Sequence, residues 1–127
     1  MKTTMKVITA LAALLFISIG VRWAVAPAGV AEEFGMPLLQ GMGLSTQIGD
    51  LGSFFLCGGL MGLIGIYTER RDWLYAAAML LTGTAIFRTI AWAAHDAALA
   101  VQSISVEVIV TAILLVTAAQ FKPAASA

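Results

Sequence analysis

Arg88 and Glu107 are the residues that most invite a chemical reading, because each stands inside a long apolar run. A charge within a membrane span is costly and is usually paired or functional. Arg88 precedes His95, at the end of its run, by seven positions, which puts it roughly 10 Å below the helix end at 1.5 Å per residue. Glu107 enters from the same side on the next run and reaches a similar depth, on the order of 12 Å. Antiparallel neighbours at matched depth predict a buried ion pair. Removing one partner of such a pair strands the other charge and costs about 3–5 kcal/mol.

Spacing widens this pair into a candidate site. Thr84, Arg88, Trp92 and His95 recur at helical intervals and share one face. Ser103, Glu107 and Thr111 form a matching stripe, and Ser18 precedes Arg22 by one turn. Facing one another, these stripes predict a polar pocket of Arg22, Asp50, Arg88, Trp92, His95 and Glu107. A carboxylate or phosphate head meeting Arg88 or Arg22 would suit it, through charge-assisted hydrogen bonds. Each residue also has a plainer role. Arg22 with Trp23 can anchor a helix at the interface, and Asp50 can cap a helix start. His95 can end a helix among headgroups, and Arg88 with Glu107 can simply set helix register.

Several chemistries lack their parts. One histidine and one cysteine, Cys57, cannot assemble the usual zinc sites, and a bis-histidine haem would need a second chain. There is no CxxC pair and no GxxxxGK[ST] phosphate loop. A Ser–His–acid set is nominally present in Ser45 or Ser103, His95 and Asp50 or Asp96, but no nucleophile-elbow sequence supports it. Neither a cofactor nor a catalytic residue is expected.

The elements that position these residues follow from composition. The chain has 127 residues, enough for one domain, and is 61% hydrophobic and 11% charged. So small a globule cannot bury that much apolar surface in water, so lipid is the expected solvent. Formal charge is zero, which gives no footprint for nucleic acid. A helix needs about 20 mainly apolar residues to cross a bilayer. The runs at about 7–25, 51–67, 73–94 and 98–121 qualify, and none contains proline. The predicted class is therefore all-α, an integral membrane four-helix bundle in a single domain.

The first run also resembles a secretory signal, with Lys2 and Lys6 before it and Ala24-Val25-Ala26 after it. It is long for a signal, and Arg22-Trp23 would lie just before the cut, so a retained helix is expected. Lys2, Lys6, Arg70, Arg71 and Lys122 all fall on one side of four spans. The positive-inside bias then places both termini in the cytoplasm of a bacterial inner membrane.

Glu69–Asp72 reads as a tight turn, whereas Pro27–Asp50 is longer than bundle connections usually are. Its glycines, prolines and interleaved apolar residues predict a partly helical lid over 27–49 on the outer face. The Ala/Ser-rich tail from Pro123 is expected to fray. Gly58, Gly59, Gly62 and Gly65 offer a flat strip for close helix packing, within the chain or against a second copy.

Gly35-Met36-Pro37, the run Gly43 to Gly52, Arg22-Trp23, the Arg88…Trp92…His95 face and Glu107 together resemble a small bacterial membrane-protein family known as domain of unknown function 4345. The resemblance spans nearly the whole chain and implies a four-helix inner-membrane protein with no established activity. More distantly, the architecture is similar to DoxX-like four-helix proteins. Three functional readings follow from the residues. The first is a non-enzymatic module binding a small amphipathic molecule or lipid. The second is an accessory or oligomer-forming subunit of a larger membrane complex. The third is a proton-coupled transporter titrating Glu107 and His95, against which the lack of a second intramembrane acid and of a broken helix counts.

Overall fold

The computed structural model describes residues 1–123, and all of their regular structure is helical. Of the tail from Pro123 that is expected to fray, residues 124–127 lie outside the described residues. Among the described residues, four helices are long and apolar enough to cross a membrane: α1 (Lys2–Val25), α3 (Met42–Thr68), α4 (Arg71–His95) and α5 (Val101–Ala119). A short α2 (Pro27–Glu33) lies between the first two. Exposed side chains such as Leu11, Leu15, Phe87 and Ile109 are large and apolar, as a lipid-facing surface requires.

The chain divides into two compact units. The first is Leu11–Leu60, built from most of α1, all of α2 and the first part of α3. Its core is Trp23, Val30 and Ala31, packed by Ile19, Met36, Ile48, Leu51 and Phe55. Pro27 starts α2 in the first turn, where its missing N–H costs nothing. Gly35 ends it at φ +70°, with Met36 N–H donating to Ala31 O at 3.0 Å and Gly35 N–H to Glu32 O at 2.9 Å. That pairing satisfies the last carbonyls and turns Met36 back onto Ala31.

The next stretch is held by one buried side chain. Gln47 donates from Nε2 to Pro37 O at 2.9 Å and accepts from Leu39 N–H at 2.8 Å. Its amide thereby supplies the two hydrogen bonds that this non-helical backbone lacks.

The third helix begins at Met42, well before the run at 51–67 that hydropathy marks. Its first turns carry glycine, serine, threonine and glutamine, which interrupt the apolar signal without breaking the helix. Residues 27–49, expected as a partly helical lid, form α2, a short irregular stretch and the opening turns of α3. Gln47–Gly52 is a π-helical segment, and Asp50 sits inside it rather than capping a helix start. Backbone contact between α1 and α3 is close here. A Cβ on Gly20 would lie 2.6 Å from Leu56 N, and one on Gly59 would lie 2.6 Å from Ala13 O. The glycine strip therefore packs within the chain at Gly59.

The second unit is Met1–Ala10 with the described part of Met61–Ala127. Leu74, Ala77, Ala78, Leu81, Leu114, Ala118 and Phe121 are buried in it. Thr9 and Thr117 share a buried hydroxyl–hydroxyl bond of 2.8 Å. Gly65 lets Leu74 and Trp73 approach α3 more closely than any side chain would allow.

At the α3–α4 turn, Glu69 takes a left-handed conformation at φ 53° and its carboxylate bonds both Lys2 and Lys6. Those two lysines hold the Glu69 carboxyl down at about 2. Asp96 closes α4 in the same left-handed conformation at φ 59°.

Candidate functional site

The α4–α5 pair positions the site. Asp96 stops α4, and the short connection to Val101 turns the chain back, so α5 lies antiparallel beside it. Arg88 Nε donates to Glu107 Oε1 at 2.7 Å. The Glu107 side chain is 8% exposed and that of Arg88 36%, so the acid is the buried partner. The ion pair expected from matched depth on neighbouring helices is present.

Only one oxygen of that carboxylate is used. Glu107 Oε2 is buried and has no hydrogen-bond partner among the described residues, and the same holds for Thr111 Oγ1. Both residues line a groove of about 450 Å³ whose other walls are Thr82, Ala85, Ile86, Thr89, Ile90, Ile104 and Val108. Ile86, Ile90 and Val108 are exposed at its rim, while Glu107 is buried at its floor. Buried polar atoms without partners are uncommon, because each carries its full desolvation cost. Two in one groove are an unusual concentration.

The remaining expected site residues are arranged otherwise. Arg22 forms a two-pronged pair with Glu33, Nη2 to Oε1 at 2.6 Å and Nη1 to Oε2 at 3.1 Å. Its guanidinium holds the Glu33 carboxyl below the ordinary carboxylate range, chiefly through that hydrogen bond. Arg22 and Asp50 belong to the Leu11–Leu60 unit, whereas Arg88, Trp92, His95 and Glu107 belong to the other. Asp50, Trp92 and His95 are exposed, and no described residue hydrogen-bonds their side chains. Both arginines offered by the sequence to an anionic head are already matched by carboxylates.

Sequence reasoning missed three participants. Glu33 stands in the segment expected as a lid, and the only signal for it is the acidic Glu32-Glu33 step shortly after Arg22 in sequence. Thr82 and Thr89 lie one step around α4 from the Thr84–Arg88 stripe. The groove uses their face, and the long Arg88 side chain reaches round to Glu107.

No protein-family model matches the chain, and neither the curated proteins nor the solved structures compared with it give a match.

Proposed function

We propose that the chain is a non-enzymatic binding module of the bacterial inner membrane, taking a small amphipathic molecule or lipid into the α4–α5 groove. The observation that carries this reading is the buried Glu107 carboxylate, with one oxygen bonded to Arg88 and the other unspent toward an apolar groove. A residue serving helix register alone would gain nothing from leaving that oxygen without a partner. A groove of this size falls within the range of about 300–1,000 Å³ that small-molecule sites occupy. With both termini cytoplasmic, as the distribution of lysine and arginine favours, the groove opens in the outer half of the bilayer. The resemblance to the four-helix family of unknown function fits this architecture and adds no activity.

Native mass spectrometry of the protein gently released from its own membrane tests the reading. A bound small molecule or lipid is expected on the natural chain and lost on Ala85→Phe, which fills the groove and leaves Arg88 and Glu107 in place. A natural chain that flies bare, or one accompanied only by another protein, overturns it.

A further inference from the structure

The class of occupant can be argued from the hydrogen-bonding atoms left open in the groove, granted the reading of that groove as a binding site. Glu107 Oε2 accepts hydrogen bonds only, and Thr111 Oγ1 both donates and accepts. Several hydroxyls on these two helices are spent on their own backbone. Thr84, Thr89, Ser105 and Thr117 each turn their hydroxyl onto the carbonyl four residues earlier, at 2.7–2.9 Å. Thr111 does not, and its oxygen stays buried and unpartnered beside Glu107, one turn away. Residues at that spacing stand about 5–6 Å apart at Cβ, a gap that one hydroxyl group can bridge.

Charge narrows the class further. Arg88 and Glu107 neutralise one another, so the groove has no net charge to offer an ion. An anionic head would meet the unspent carboxylate oxygen, and like charges repel. A cationic head would bring a second positive charge beside the Arg88 guanidinium. Either would leave water for walls made of Ala85, Ile86, Ile90, Ile104 and Val108, which cannot repay the desolvation.

We infer that the groove binds a neutral, hydroxyl-bearing amphiphile, whose O–H donates to Glu107 Oε2 and whose oxygen accepts from Thr111 Oγ1. Its apolar part lies along the α4 face from Thr82 to Ile90, a length of about 12 Å at 1.5 Å per residue.

Photolabelling of the full chain in lipid nanodiscs, with a diazirine-bearing decanol as probe, tests this. Competitors are decanol, decyl methyl ether, decanoate and decyltrimethylammonium, compared by the mole fraction in the bilayer at which each displaces half of the label. Label is expected on α4 between Thr82 and Ile90 and on α5 between Ile104 and Thr111. Decanol should displace it at about tenfold lower mole fraction than the other three, the ratio expected of one hydrogen bond to a charged acceptor. Thr111→Val, which leaves the ion pair untouched, should shrink that advantage severalfold. If decanoate or the ammonium competes best, or the ether competes as well as decanol, the neutral-hydroxyl assignment is wrong while the groove remains a binding site. If no label above that of a bulk-lipid probe reaches these segments, the groove is not a binding site and both readings fall.

Discussion

Two arginine–glutamate pairs among the described residues differ in almost every physical respect. Arg22 and Glu33 meet as two parallel bonds, with both side chains well exposed, and every carboxylate oxygen is used. Arg88 and Glu107 meet through one bond, with the acid buried and its second oxygen unused. The better-formed pair is the one where water would satisfy the charges anyway, and such pairs contribute little. In the buried pair the second oxygen lies off the protein surface, so a bond left unmade there carries a desolvation cost that the exposed pair does not face. The candidate site is marked here by two unpartnered polar atoms lining one groove, and not by charge as such.

The largest expected effect comes from breaking the buried pair. Arg88→Ala leaves the Glu107 carboxylate without its one partner and should cost about 3–5 kcal/mol in reversible unfolding. The exchange Arg88→Glu with Glu107→Arg should recover much of that loss. A double variant no better than the single ones would show that the two residues do not act as a pair.

Gln47 sharpens the contrast, since it is buried like Glu107 but has both ends of its amide in use. Gln47→Ala strands Leu39 N–H and Pro37 O, and a loss on the order of 2 kcal/mol is expected from unfolding midpoints. An unchanged midpoint would mean that these groups find water instead.

Glu69 supplies an intermediate case, an exposed carboxylate with two cationic partners. Its folded value of about 2 lies below the ordinary carboxyl value of 4.5. A carboxyl depressed on folding stabilises fully above its unfolded value and loses that contribution as pH falls toward the folded one. Stability should therefore decline between about pH 4.5 and about pH 2 partly through Glu69. Glu69→Gln should flatten the pH dependence of the unfolding midpoint across that window, and an unaltered slope would assign the decline to other carboxyls.

The smallest effect is expected at the exposed pair. Arg22→Gln and Glu33→Gln should each leave the unfolding midpoint within experimental scatter, in low and high salt alike. A clear salt-dependent loss there would erase the distinction between the two pairs.

Much of this arrangement is legible in the sequence. Proline placement and apolar runs located the four long helices, because crossing lipid requires length and every internal proline would remove a backbone bond. The Arg88–Glu107 pair was legible for a related reason: a short connection makes neighbours antiparallel, so distance from the turn becomes depth. The regular part of α3, Ser53–Thr68, matches the apolar run, whereas its opening turns are not legible, since Gly43, Ser45, Thr46 and Gln47 look like a loop to any scale that counts apolar side chains.

What the sequence determined by itself was therefore the helix inventory and the one buried pair, because both follow from period, length and solvent. Tertiary structure alone decided that Arg22 turns to Glu33, that Gln47 ties the irregular stretch to α3, and that Thr82, Thr89 and Thr111 share a groove with Glu107. Those outcomes depend on which way a helix is rotated and how far a long side chain reaches. A rotation of one residue, about 100°, exchanges a stripe that faces a neighbour for one that does not. Periodicity fixes which residues share a face; only packing decides where that face points.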